Sequence, residues 1–161
     1  MRIGSGLDVH PFDPAGERPL VLAGVTIPGS PPLSGHSDAD VVAHAVTDAL
    51  LGAAAMGDLG SRFGVDDPAT AGAASLGLLR AVVVDVADAG WRTGNLDVTV
   101  VAQRPRLAEH RRAMRRNLAE VLGVDLEDVS VKFTTTDGLG TLGRGEGIAA
   151  WATCLLAPLR G

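Results

Sequence analysis

The chain holds one cysteine, Cys154, and one lysine, Lys132, among 161 residues, and its formal net charge is -5. A lone cysteine excludes an internal disulfide framework. Its place in the apolar run 149–156 reads as a buried, unreactive thiol. A negative balance excludes a nucleic-acid binder that depends on a general basic field. The shortage of lysine beside abundant arginine reads as a genome-composition bias rather than a site. No apolar stretch reaches the roughly 20 residues that span a bilayer. The N-terminal segment has no apolar h-region, so no signal peptide is expected. These absences leave a soluble, cytoplasmic protein, with no nucleic acid or membrane among its partners. Its length fits a single domain over 1–161 with a real core, undivided by repeat or linker.

What the chain does have is a concentration of metal-ligand residue types near its start. Three of its four histidines, His10, His36 and His44, fall in the first third. Asp8 and His10 are two apart on an expected strand over 2–9, so their side chains share a face. His44 sits in an expected helix. Three such ligands would close three corners of a tetrahedron and leave the fourth open, the mark of a catalytic rather than a structural zinc site. Asp48, at i+4 from His44, is either the carboxylate that fixes the imidazole's tautomer or an ordinary surface pair.

Periodicity and turn signals organise the rest. In the first strand Ile3, Ser5, Leu7 and Val9 alternate with Gly4, Gly6, Asp8 and His10, and the glycines leave room for close approach of a backbone or ligand. Residues 19–28 read as a short hairpin turning at Ala23-Gly24. Ser37, with Asp40 three residues on, resembles a capping box opening a helix that runs to 55 or 56, with Val42, Ala45, Val46, Ala49 and Ala53 on one face. A helix over 73–89 stops at Gly90, and a strand follows at 95–102. Pro105 opens a third helix, closed by Gly123. Its Arg111, Arg112, Arg115 and Arg116 read as a solvated face that complements the helix's negative C-terminal end. Strands over 129–135 and 148–156 flank a Gly-rich turn region.

The order of elements predicts an α+β, or mixed α/β, layout: about four main strands in a mixed sheet, three helices on one face, and a short hairpin. Strands apolar on nearly both faces leave the other side of the sheet to be covered. Self-association does this economically, so an oligomer is expected.

Two further segments carry chemistry. His36-Ser37, ahead of a helix start, is either a phosphate grip at free N–H groups or merely the N-cap. Thr134-Thr135-Thr136-Asp137 leaves a strand end with hydroxyls and amides suited to phosphate oxygens, and Asp137 is a hard oxygen ligand of the kind magnesium shares with a diphosphate. The run 143–147, Gly-Arg-Gly-Glu-Gly, permits tight turns.

Taken in order, the segments 4–10, 35–55, 57–60, 134–137 and 143–147 resemble the 2-C-methyl-D-erythritol 2,4-cyclodiphosphate synthase family across essentially the whole chain. The resemblance implies a homotrimer with active sites between adjacent subunits. It also implies a phosphorus–oxygen lyase of non-mevalonate isoprenoid biosynthesis. That enzyme turns 4-diphosphocytidyl-2-C-methyl-D-erythritol 2-phosphate into the 2,4-cyclodiphosphate and CMP.

Carried onto this sequence, the resemblance assigns zinc to Asp8, His10 and His44. It gives the methylerythritol phosphate to His36 and Ser37, and transition-state stabilisation to His36 and Thr135. Substrate contacts fall to Asp8, Val9, His10, Asp58, Leu59, Gly60, Phe63 and Asp67. The cytosine pocket lies in 102–108, with Ala102, Arg106, Leu107 and Ala108. The cytidine diphosphate falls to Thr134, Thr135, Thr136 and Asp137, with magnesium or manganese on Asp137. Arg144 adds positive charge near the phosphates or near the trimer axis. Departures from the family pattern are Val65 and Asp66 in the loop 63–68, Asp137 for a common Glu, Arg106 for a Lys, and Thr141 where an aromatic is frequent. Two rival readings are a zinc-dependent phosphohydrolase and a non-catalytic trimeric module that holds a prenyl diphosphate.

Overall fold

The computed structural model describes residues 1–35, 37–64 and 72–159. Its four-stranded sheet has the order β1-β6-β4-β5, with β1 spanning Arg2–Pro11, β4 Trp91–Val101, β5 Val129–Thr134 and β6 Gly147–Pro158. β6 lies antiparallel to both neighbours, and β4 and β5 are parallel. The parallel pair needs a crossover, supplied by α4, Arg111–Leu122. β2 (Leu20–Leu22) and β3 (Val25–Ile27) form the separate hairpin, turning at Ala23-Gly24 as the sequence indicates.

Helix α1, Val41–Ala54, is the centre of the molecule. It packs across β1 because both elements are built of small residues at the contact. A Cβ on Gly4 would strike the Ala49 carbonyl and Ala53, and one on Gly6 would strike the Ala45 carbonyl. Ala45, Ala49 and Ala53 recur every four residues and form one ridge; the glycines form the surface it lies on. The room that glycine leaves on this strand is thus filled by a helix backbone.

The start of α1 differs from the expectation. Asp40, not Ser37, is the N-cap, and its side chain accepts the Val42 and Ala43 N–H groups. The same carboxylate accepts from Ala23 (2.8 Å) and Gly24 (2.7 Å) in the hairpin turn. A Ser-x-x-Asp spacing could not reveal this, because the deciding donors are remote in sequence. Complete burial pushes the Asp40 carboxyl up to about 6, against the lowering by the N–H groups of Ala43, Gly24 and Ala23.

Two more elements depart from the sequence reading. A short helix, α2 (Leu59–Phe63), begins at a capping box made by Asp58 and Ser61. The third long helix begins at Arg111 rather than at Pro105, which follows a cis peptide bond in the preceding loop. Helix α3, Ser75–Asp88, and the αL cap at Gly123 agree with the expectation. A four-residue helix, α5 (Gly140–Gly143), lies in the Gly-rich turn region.

The helices cover one side of the sheet, burying Leu96, Val98, Val100, Ile148, Ala150 and Ala152 against Val42, Val46, Leu79, Met114 and Leu118. On the other side Ile3, Leu7, Val9 and Trp151 are 74, 58, 53 and 56% exposed. Register puts Leu7 opposite Trp151, so β1 and β6 carry an apolar patch on the helix-free face. Among the described residues no helix is long and apolar enough to cross a membrane.

Candidate metal centre and substrate-binding elements

The three ligands foreseen from sequence come together where the end of β1 meets the first turns of α1. Asp8 Oδ2 lies 2.9 Å from His10 Nε2 and 3.0 Å from His44 Nδ1. The two imidazole nitrogens are 3.3 Å apart. Metal–ligand bonds of about 2.0–2.1 Å at tetrahedral angles require donors about 3.3 Å apart. A divalent ion therefore fits this near-equilateral triangle with little adjustment. The side chains of Asp8, His10 and His44 keep 25, 18 and 11% exposure, so the site is walled by protein but reachable for a further ligand.

Hydrogen bonds settle which nitrogen each histidine turns inward. His10 Nδ1 sits 2.5 Å from the Ser34 carbonyl, which can only accept, leaving the Nε2 lone pair for the triangle. His44 does the reverse: Nε2 contacts Ser75 Oγ at 2.9 Å and Ser37 Oγ at 3.1 Å, and Nδ1 faces Asp8. Asp48 takes neither role weighed for it in the sequence. Its Oδ1 accepts the Leu59 N–H at 2.7 Å, tying α1 to α2. Ser75 lies 31 residues from His44, and no motif spacing points to it.

Electrostatics follow from this crowding. Burial raises the Asp8 carboxyl, but hydrogen bonds and charge from His10 and His44 outweigh it and hold the group well below the carboxylate range. Burial lowers His10, and the partnership with Asp8 overrides this and raises it above 6.5.

The loop bearing Ser34 and Ser37 is anchored by Arg18, whose guanidinium donates to the carbonyls of Leu33 (3.3 Å), Gly35 (3.2 Å) and Ser37. Ser37 is buried beside His44. His36 and Asp67 lie outside the described residues, as do Val65 and Asp66 of the variant loop. Asp58 stands at the solvent-exposed start of α2, its carboxylate on the Ser61 N–H at 2.7 Å; Leu59 and Gly60 follow, half-buried. Phe63 packs under the Arg62 guanidinium, 5.0 Å from the ring centre.

The remaining predicted residues form a second group. Ala102 N–H bonds the Thr134 carbonyl at 3.0 Å, joining the 102–108 segment to the threonine turn. In 102–108, Leu107 is buried, while Arg106 and Ala108 are exposed. Thr134 and Thr135 are exposed and Thr136 is half-buried. Asp137 has a left-handed backbone, φ 53°, and its N–H reaches Thr135 Oγ1 at 3.1 Å. Arg144 is exposed and paired with Glu146 at 2.6 Å.

Both groups sit at the same end of the sheet. Val9 pairs with Ala149, Ala149 with Val101, and Val101 with Thr134. They occupy opposite edges, however, three strand spacings or roughly 14 Å apart.

A mixed α/β chain with a partly open Asp–His–His cluster defines a metal-dependent enzyme class. Within it, the model of the YgbB family matches residues 1–157. The chain belongs to that family, that of the 2-C-methyl-D-erythritol 2,4-cyclodiphosphate synthases. It is 58% identical over 156 residues to the synthase of Pectobacterium atrosepticum, covering 97% of this chain and 93% of that one. Among solved structures it is similar to the bifunctional IspDF of Campylobacter jejuni, at 41% identity and a TM-score of 0.93. That match covers 98% of this chain but 42% of the longer protein. The IspF of Plasmodium falciparum in a CDP complex is 32% identical, with a TM-score of 0.86, over 99% of this chain and 97% of that one.

Proposed function

We propose that the chain converts 4-diphosphocytidyl-2-C-methyl-D-erythritol 2-phosphate to 2-C-methyl-D-erythritol 2,4-cyclodiphosphate and CMP, in non-mevalonate isoprenoid precursor synthesis. The observation that carries this is the Asp8–His10–His44 triangle in a chain 58% identical to a curated synthase. An oxygen of the 2-phosphate attacks the β-phosphorus, the bond from that phosphorus to the bridging oxygen breaks, and CMP departs with the electron pair. No water enters, so the product is cyclic and the class is a phosphorus–oxygen lyase.

The chain's own part is positioning and charge. Two anionic phosphates must meet, and both belong to one molecule, so bending and neutralisation dominate the barrier. Asp8, His10 and His44 would hold zinc, which would supply Lewis-acid charge to the reacting phosphates. Asp137 would share magnesium or manganese with the diphosphate. A single exposed carboxylate suits that ion, which keeps waters and takes phosphate oxygens as further ligands. His36 and Ser37 would grip the methylerythritol phosphate, and His36 with Thr135 would stabilise charge at the reacting phosphorus. Asp58 and the Gly60 backbone would meet the erythritol hydroxyls, with Phe63 and Asp67 beside them. Ala102, Arg106, Leu107 and Ala108 would hold cytosine, and Thr134 to Asp137 the diphosphate. No protein nucleophile is required.

The reading extends to one domain over 1–161, a cytoplasmic location and a homotrimer. Support for the trimer is twofold. The apolar patch of Ile3, Leu7, Val9 and Trp151 needs cover. The metal cluster and the threonine turn stand on opposite sheet edges, and a ring of head-to-tail copies brings unlike edges together.

The test is incubation of the protein with the cytidylyl substrate, zinc and magnesium, followed by phosphorus NMR and CMP assay. Equal amounts of CMP and cyclic diphosphate are expected, and His44→Ala should lose both while remaining trimeric. Release of inorganic phosphate, or full activity of a metal-free His44→Ala protein, contradicts the reading.

A further inference from the structure

We infer that Asp38, acting through the hydroxyl of Ser75, holds the Nε2–H of His44 when a metal takes Nδ1, and so orients that imidazole at the metal site. The inference rests on the metal reading above and adds two positioning residues to it. Asp38 lies between Ser37 and the α1 cap, and Ser75 is the first residue of α3.

The direction of each hydrogen bond follows from donor inventory. Both carboxylate oxygens of Asp38 accept from backbone N–H groups. Its Oδ2 takes the Ser75 backbone N–H at 3.1 Å, and its Oδ1 takes the Ser75 hydroxyl proton. Oδ1 also lies 3.3 Å from the Asp40 N–H. With its one proton committed to Asp38, Ser75 Oγ faces His44 Nε2, 2.9 Å away, with a lone pair. An imidazole that gives its Nδ1 lone pair to a metal carries its proton on Nε2, where Ser75 Oγ is placed to accept it; without the metal, Nδ1 lies within hydrogen-bond reach of the Asp8 carboxylate, 3.0 Å away. Ser37 Oγ, 3.0 Å from Ser75 Oγ and 3.1 Å from His44 Nε2, completes a buried set of hydroxyls. The arrangement is a carboxylate–imidazole–metal relay with one hydroxyl inserted.

The geometry is supplied by α3. Ala74, at its N-cap, offers no side-chain oxygen, so Asp38 from a remote loop takes the first N–H instead. The carboxylate that starts α3 is thus the one that orders the hydroxyl beside His44. Ser75 is 1% exposed, so water does not compete for that hydroxyl.

Asp38→Asn separates this role from simple packing. The Ser75 N–H cannot rotate, so it claims the amide oxygen at the Oδ2 position. The amide nitrogen then occupies the Oδ1 position, at the cost of the longer contact to Asp40. There it donates to Ser75 Oγ, whose proton must turn away from position 38, to Ser37 Oγ or against His44 Nε2. The shape of the site is unchanged, but Ser75 has lost the acceptor that kept its lone pair on the His44 Nε2–H.

The experiment uses the full chain with nitrogen-15 histidine, in which four residues report. Zinc-loaded wild type should show a downfield, hydrogen-bonded His44 Nε2–H, and Asp38→Asn should move that signal upfield. Zinc affinity, read by competition with a chromogenic chelator, should fall about 10–100-fold in Asp38→Asn. Ser75→Ala should lose less, because the Ser37 hydroxyl remains as an acceptor. Circular dichroism confirms that each variant is folded. An unmoved His44 Nε2–H signal in Asp38→Asn, with zinc affinity within about twofold of wild type, overturns the inference. Wild type that takes up no zinc overturns the metal reading itself, and this inference with it.

Discussion

Gly6 of β1 lies so close to the Ala45 carbonyl of α1 that any side chain at position 6 would collide with helix backbone. This contact sets the separation of the two elements that carry the metal cluster. Asp8 and His10 lie two and four residues beyond Gly6 on one element, and His44 immediately precedes Ala45 on the other.

Gly6→Val is therefore expected to destabilise the fold by about 3 kcal/mol, the upper range for overpacking, because backbone rather than a flexible side chain must move. Denaturant unfolding measures the loss. Zinc affinity of the folded fraction should fall as well, since the ligands are pushed apart. An unchanged unfolding midpoint would show that the close packing is not what holds β1 to α1.

Asp40→Ala removes four accepted N–H bonds at once, those of Ala23, Gly24, Val42 and Ala43. Losing the cap costs about 1 kcal/mol, and stranding the hairpin donors adds about 1–3 kcal/mol. A total near 3 kcal/mol is expected. Asp40→Asn should cost less. Its carbonyl, placed at Oδ1, keeps Ala23, Val42 and Ala43 and strands only Gly24. Equal losses in the two variants would contradict this division of donors.

In metal-stripped protein the Asp8–His10 pair should contribute most to stability between pH 3.8 and 6.5, the ordinary values of the two groups. The lowered Asp8 stabilises the fold above 3.8, and that contribution disappears as pH falls through its folded value. The raised His10 stabilises it below 6.5, and that contribution disappears as pH rises through its folded value. Thermal melts of chelator-treated protein should thus decline on the alkaline side. Zinc should reverse that decline, because binding needs neutral imidazole. A melting temperature of stripped protein that climbs from pH 6.5 to 8 would refute the pairing.

Burial pushes the Cys154 thiol up to about 11, against the lowering by its Gly4 backbone contact. It stays protonated at pH 8 and sits 2% exposed. Native protein should resist a thiol reagent at pH 8, whereas denatured protein should react at one site. Rapid labelling of the native chain would place the thiol outside the core.

Leu7→Glu, or Trp151→Glu, puts charge into the apolar patch of the helix-free face and should yield a smaller species by light scattering without melting the monomer fold. The monomer keeps its helix-side core in both variants, because neither residue faces it. An unaltered molar mass would direct the search for the subunit contact to another surface.

By itself the sequence determined the period and punctuation of each long element, and with them the mixed sheet, the three long helices and the Asp8–His10–His44 set. Alternation along β1 fixed which face carries the ligands, and helical spacing put Val42, Ala45, Val46, Ala49 and Ala53 on one face of α1. Local patterns of that kind survive in any context because they depend on neighbours two to four residues away. The cap of α1 could not be read, since Asp40 answers to donors at Ala23 and Gly24. Nor could the role of Asp48, whose partner is the Leu59 N–H. Tertiary structure alone decided which nitrogen of each histidine turns inward. That choice belongs to the Ser34 carbonyl and the Ser75 hydroxyl, brought from other parts of the chain. A tautomer is set by whatever donor or acceptor touches the other ring nitrogen, and contact across 24 or 31 residues leaves no spacing to recognise.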